Sequence, residues 1–229
     1  AIVVYNDGNR VEKDRILVTY LAFLIVIVFW GSFEQAGGLM NLYAFQKTDL
    51  ALGTFMVPAS WFQSVNAIFI LIFATAVGSF WIWWKKSGFE HSSLFKMALG
   101  VVIMGFGFFF MSIAASEVTY DNDGNVLEKS AMYWLVLAYL FHTIGELCAS
   151  PVALSFITKL APARWGAFLM GAYFAATGLG NKVAGKIGEN ASDIGDYWTF
   201  TGITIFCTVF GLLVILILKP LKRLVHDAE

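Results

Sequence analysis

The sequence predicts an all-α membrane protein, a bundle of six transmembrane helices, and three observations carry that reading. The chain is 59% apolar and only 14% charged, with 22 Phe and a mean hydropathy of +0.72. A soluble domain of 229 residues has no interior large enough for so much apolar surface. Six apolar segments of spanning length follow one another, at Ile16–Leu42, Pro58–Trp84, Leu94–Ala115, Met132–Ile157, Trp165–Ala184 and Tyr197–Leu218. The loops are unequal in charge. The side that holds Ala1 carries Arg10, Lys13, Arg15, Lys85, Lys86, Lys96, Lys159, Arg164, Lys219, Lys222 and Arg223, and the opposite side only Lys47, Lys129, Lys182 and Lys186. Eleven against four puts both ends in the cytoplasm. The net charge of −1 hides this asymmetry and gives no sign of nucleic-acid binding.

The chain opens without Met, signal peptide or amphipathic presequence. Residues 1–15 read as a cytoplasmic polar lead-in with an Asn6-Asp7-Gly8-Asn9 turn, 16–218 as the six-helix bundle and 219–229 as a cytoplasmic tail. The first span carries Glu34 and Gln35 beside Gly37-Gly38, where a helix is easily loosened. Glu34 is either a functional acid at depth or a partly wet residue near a helix end. The second span starts with Pro58, a good first-turn residue, and carries Gln63 and Asn66 early. Asn66 serves either a site or helix–helix adhesion. Trp81, Trp83, Trp84, Lys85 and Lys86 close that span as an interfacial anchor. The third span holds Gly100, Gly105 and Gly107 among phenylalanines, with no ionisable group before Glu117, and reads as lipid-facing support. A turn at Tyr120-Asp121-Asn122-Asp123-Gly124-Asn125 can close a small hairpin through its Asp-Gly pair.

The fourth span is the centre of the chain. Glu146 lies about 14 residues into it, roughly 21 Å along a helix at ~1.5 Å per residue, too deep to reach either surface. A charge at that depth costs ~2.5 kcal/mol or several times more, so Glu146 faces a polar cavity, a partner or a substrate, or is protonated. A buried acid held by another helix for structure alone is the plainer alternative. Pro151 removes a backbone donor five residues on, and Ser150, water or a neighbouring helix must satisfy the freed carbonyl. The fifth span sets Ala172, Ala176, Gly180, Ala184 and Gly188 on a small-residue ridge suited to close helix approach, with Tyr173 and Phe174 just off it, lining a cavity or packing. The sixth is nearly featureless apart from Pro220, expected to stop it.

Cys148 and Cys207 both fall inside apolar runs, as free thiols, and no metal or cofactor motif is present. No nucleophile–base pair or phosphate-cradling loop points to an enzyme. Two intramembrane acids, an Asn, a Gln, aromatic residues and two helix-weakening sites spread over several helices are what a central, water-accessible site in a transporter needs. Its carboxylates attract a cationic group on a substrate and can also take a proton.

Trp30 with Phe33-Glu34-Gln35, Asn66, Gly145-Glu146 and the run from Ser150-Pro151 to Lys159-Leu160-Ala161-Pro162 resemble the proton-dependent oligopeptide transporters of the major facilitator superfamily. The resemblance covers all six spans and is most specific over Glu146–Pro162. It implies twelve core helices in two six-helix bundles, with this chain as the C-terminal one. The Glu-rich first-helix motif ending in Arg-Phe-x-Tyr-Tyr is absent, as is the basic residue of the fourth helix. By this resemblance Glu146 binds the amino terminus of a di- or tripeptide, with Asn66 and Ser150 assisting. Trp30, Phe33, Tyr173 and Phe174 shape side-chain pockets, and Glu34, with Glu146, handles the coupling proton. Tyr173 stands where the family often has Trp, and Gln46-Lys47-Thr48-Asp49 stands where an acidic gate residue is often seen. The implied activity is proton-driven symport by alternating access in a bacterial inner (plasma) membrane. Its partners are peptides, protons, membrane lipids and the N-terminal six-helix half, and no cofactor is needed beyond the coupling proton. This chain alone, lacking groups for the peptide carboxylate, is expected not to transport. The alternatives are a family relative carrying another solute and a non-transporting membrane assembly or receptor module.

Overall fold

A capping box starts the first helix: the Asn9 side chain accepts from the Glu12 N–H, and the Glu12 carboxylate accepts from the Asn9 N–H, both at 2.9 Å. Helix α1 (Arg10–Phe33) therefore begins within the stretch expected as polar lead-in. The computed structural model describes residues 8–226, so Asn6 and Asp7 of the expected turn and the last three residues of the expected tail lie outside the described residues. A 3-10 turn at Glu34–Ala36 follows α1, then Gly37 and Gly38, then α2 (Leu39–Lys47). The first span is thus broken beside the glycine pair.

The remaining long helices are α3 (Trp61–Lys86), α4 (Ser93–Glu117), α5 (Met132–Leu160), α6 (Gly166–Ile194) and α7 (Asp196–Leu216), with a short α8 (Leu218–Val225). Between α2 and α3 lie β1 (Thr48–Asp49), β2 (Ala51–Leu52) and β3 (Phe55–Met56), and between α4 and α5 lie β4 (Thr119–Tyr120), β5 (Val126–Glu128) and β6 (Ser130–Ala131). Strands β4 and β5 form the hairpin expected at the Asp-Gly turn, with Gly124 at φ +83° and the Asp121 carboxylate accepting from the Asp123 and Asn125 N–H groups.

Five spans are apolar enough to cross a membrane by length and composition, the broken first one counted whole from Arg10 to Lys47; α6 is not among them. Lys182, Lys186, Glu189 and Asp193 dilute its second half. Its 29 residues, ~43 Å at ~1.5 Å each, nonetheless run from one end of the bundle to the other. At the first end, Arg164 before α6 pairs with Glu12, Arg15 donates to the Val225 and His226 carbonyls, Asp14 meets His226, and Lys222 pairs with Glu90. Partial burial pushes the Glu90 carboxyl up, but bonds from Lys222 and Ser92 outweigh it and hold it down to about 2. At the second end, Asp196 after α6 pairs with Lys47, the Tyr43 hydroxyl donates to Ser130, and β1 pairs in parallel with β6.

The third span departs from expectation. Helix α4 is the most enclosed span, with 61% of its apolar window buried against 6% for α3. Its glycines explain this: a Cβ on Gly100 would sit 2.7 Å from the Gly145 carbonyl oxygen, and one on Gly107 2.5 Å from the His142 ring. Helix α7 docks on the same helix through Gly211, where a Cβ would meet Val102 at 2.5 Å. Packing in a membrane rests on such close approach, and α4 is its axis here. Pro220 does not stop the last span; the break falls at Ile217, and Pro220 lies in the first turn of α8, where no intrahelical donor is required.

Candidate functional site

Helix α5 carries Tyr139, His142, Thr143, Glu146 and Ser150, an i, i+3, i+4, i+7, i+11 series that lines up a strip of polar groups along one helix. Gly145 and Gly100 let α5 lie against α4, and α3 crosses the strip in front. The Asn66 amide of α3 donates to Glu146 Oε2 at 3.0 Å and to Thr143 Oγ1 at 3.1 Å, using both of its hydrogens. Thr143 in turn donates to the Tyr139 carbonyl at 2.8 Å. Glu146 is half-buried and has no cation within salt-bridge distance among the described residues. The pair expected from sequence, Asn66 and Glu146, is in direct contact. Thr143 was not expected; its one visible signal was the Thr-x-x-Glu spacing on the same helix face.

The α1–α2 break beside this strip is clamped from two sides. The buried Gln35 amide donates to the Gly31 carbonyl at 3.2 Å and to the Ala184 carbonyl of α6 at 3.0 Å. The Tyr139 hydroxyl donates to the Ala36 carbonyl at 3.0 Å. Between these two fixed neighbours the half-buried Glu34 carboxylate has no hydrogen-bond or ion-pair partner among the described residues.

The aromatic candidates divide. The Trp30 and Phe33 rings meet edge to face at 5.4 Å, and Phe33 also lies 6.4 Å from the His142 ring. Trp30, Ser150 and Tyr173 come together around a cavity of about 10 Å³, too small for any ligand in this conformation. Tyr173 is buried on the packing face of α6, on the line that continues through Ala176, Gly180 and Ala184 against α1. A Cβ on Gly180 would sit 2.9 Å from the Ile27 carbonyl oxygen. Of the expected ridge, Gly188 is exposed, and the buried line runs on to Ala191 instead. Phe174 is 65% exposed and faces away from that cavity's lining, touching Tyr173 edge to face at 5.4 Å. Cys148 and Cys207 are free and buried, Cys207 Sγ lying 3.1 Å from Ser32 Oγ. The described residues contain no group of three or more metal-ligating side chains.

A helical membrane bundle with one broken span and an uncompensated acid at depth is built as secondary transporters are built. The chain belongs to the POT family (PTR2), which matches residues 3–195. It is 34% identical over its whole length to the peptide transporter YePEPT of Yersinia enterocolitica subsp. palearctica, and 30% identical over 99% of its length to a di-/tripeptide transporter of Lactococcus lactis subsp. cremoris. A crystal structure of peptide transporter POT in complex with sulfate superposes with a TM-score of 0.85 at 28% identity, over 97% of this chain and 44% of that one. The bundle has the fold of part of a major facilitator superfamily transporter. It spans 44% of the length of the Yersinia relative and 46% of the Lactococcus one. These relatives are transporters, not enzymes.

Proposed function

We propose that this chain is the C-terminal six-helix bundle of a proton-coupled symporter of di- and tripeptides that works by alternating access. The observation that carries the reading is the Glu146 carboxylate, which is held by one neutral amide and faced by no cation among the described residues. A charge left so at membrane depth is costly, and the cost is relieved by a proton or by a cationic group brought in from outside. The ammonium of a peptide supplies such a group. The names of the relatives support peptides as the substrate class.

In this reading 16–218 is the transporter bundle, 1–15 and 219–229 are its cytoplasmic flanks, and an N-terminal six-helix half supplies cations for the peptide carboxylate. The charge asymmetry of the two ends supports cytoplasmic termini in a bacterial inner membrane. Glu146, Asn66 and Ser150 hold the amino terminus once the halves part. Trp30, Phe33, Tyr173 and Phe174 border the side-chain space. Glu34, without a partner among the described residues between the two clamps on its helix break, takes the coupling proton, and neutralising it weakens its hold on basic groups of the other half so that the halves rock. The test is uptake of a labelled dipeptide by the complete transporter in proteoliposomes, with an inward proton gradient and with the gradient collapsed. Accumulation is expected only with the gradient; accumulation without it removes proton coupling, and no uptake in either condition removes the peptide assignment.

A further inference from the structure

Away from Glu146, at the second end of the bundle, a cleft of about 900 Å³ opens between α2, the β2–β3 turn and the start of α3. Leu42, Phe45, Met56, Val57 and Pro58 supply its apolar wall. Its polar groups are unusual. Asp49 and Lys129 have opposite charges and line the same cleft, yet they form no ion pair. Asp49 lies on β1 opposite Ala131, and Lys129 just precedes β6, the parallel partner of β1, so the strand pairing holds the two charges on neighbouring strands, two positions out of register. Asp49 Oδ1 accepts from the Ala51 N–H at 3.0 Å, and Oδ2 has no partner among the described residues. In the wall behind them, Asn41 Oδ1 and Thr48 Oγ1 are shut off from water without a hydrogen bond. Leaving a buried polar atom unpaired is unfavourable, so such atoms mark a place where a partner belongs.

We propose that this cleft is an outer waiting site for the zwitterionic peptide, its ammonium on Asp49 and its carboxylate on Lys129. The apolar wall at Phe45 and Met56 accepts the side chains without selecting among them. The inference rests on the peptide reading proposed above but uses none of the residues of the Glu146 site. Placing the two charges, unpaired, on neighbouring strands suits a ligand that carries both signs and disfavours one that carries a single sign.

The experiment is thiol protection on the complete transporter in proteoliposomes. Phe45→Cys, at an exposed position of the cleft wall, is labelled from outside by a membrane-impermeant maleimide, with and without dialanine. Dialanine is expected to slow labelling, and N-acetyl-dialanine amide, which has neither charge, is not. Protection is expected to persist when Glu146→Gln is added, and the half-protecting concentration to rise about tenfold or more when Asp49→Asn and Lys129→Gln are added instead. Exchanging the charges, Asp49→Lys with Lys129→Asp, is expected to restore protection, which a merely misfolded protein would not do. Protection that disappears with Glu146→Gln, or that the capped peptide gives equally, overturns the waiting site. Uptake measured on the same vesicles keeps the two readings apart: transport without protection removes only this site, and protection without transport removes only the symport reading.

Discussion

The Tyr139 hydroxyl donates to the Ala36 carbonyl at 3.0 Å, so the helix that carries Glu146 also holds the first span at its break, two residues from Glu34. The two acids make no direct contact among the described residues, but this bond joins the segments that bear them. Tyr139→Phe keeps the buried ring stacked on Phe62 and removes only the donor. The Ala36 carbonyl then loses its partner, at a cost of about 0.5–1.5 kcal/mol. The melting temperature of the purified transporter should fall by about 1 °C per kcal/mol, with peptide affinity unchanged. An unchanged melting temperature would mean that the hydroxyl carries no share of the clamp.

Gly100 is a second point where α5 is held. A Cβ there would meet the Gly145 carbonyl oxygen at 2.7 Å and the Ala149 Cβ at 2.8 Å, and neither can rotate away. Gly100→Ala must push α5 off α4 next to Glu146, and overpacking of this kind costs about 1–3 kcal/mol. Gly202→Ala in α7, with nothing within 4 Å, is the control and should be neutral or slightly stabilising. Detergent melting curves of the two variants should separate clearly; indistinguishable curves would show that the α4–α5 contact yields easily.

Much of the site was legible because it depends on short-range chemistry. The Gly37-Gly38 pair marks the helix break, the Asp-Gly turn marks the β4–β5 hairpin, and an acid at the middle of an apolar run demands a partner, which Asn66 provides. Which apolar helix faces lipid was not legible, since lipid and protein neighbours are equally apolar. Gly100, Gly105 and Gly107 were the available signal for α4, and the sequence reading gave more weight to the phenylalanines around them. The exposure of Phe174 beside the buried Tyr173 has the same origin: the small-residue ridge was visible, but its rotation about the α6 axis was not.

The orientation is open to direct labelling. With cytoplasmic ends, a membrane-impermeant thiol reagent applied outside should modify Asn125→Cys, in the β4–β5 turn, and leave Gly88→Cys untouched. Both positions are exposed. The reverse pattern would invert the topology and move the proposed waiting cleft to the inner face.

Glu34 and Glu146 are expected to separate functionally. Glu34→Gln removes a charge that no described residue compensates, so folding should be little affected. Proton-driven accumulation of peptide should fall sharply, while counterflow exchange, which needs no net proton movement, should survive. Equal loss of both activities would assign Glu34 to binding or structure and leave the coupling proton with another group.

Glu146→Gln decides between the two roles open to the central acid, and the Asn66 contact makes the comparison clean. The glutamine keeps the volume, and its carbonyl oxygen can still accept from Asn66 Nδ2, now 3.0 Å from Oε2. A purely structural acid, present to hold α3 on α5, would therefore lose little on this change, whereas Glu146→Ala would loosen the helix pair. An acid that pairs with the peptide ammonium loses a charge-assisted hydrogen bond in a partly desolvated site. That costs about 1.5–3 kcal/mol, roughly tenfold to a hundredfold in affinity. The loss should be confined to peptides with a free amino terminus. An N-acetylated peptide has no cation to pair and should bind the variant no worse than the parent. Equilibrium binding on monodisperse, detergent-purified transporter measures both ligands on one preparation. Unchanged affinity for the free peptide ends the ammonium assignment and returns Glu146 to a structural role, and an equal loss for both peptides ends the assignment as well.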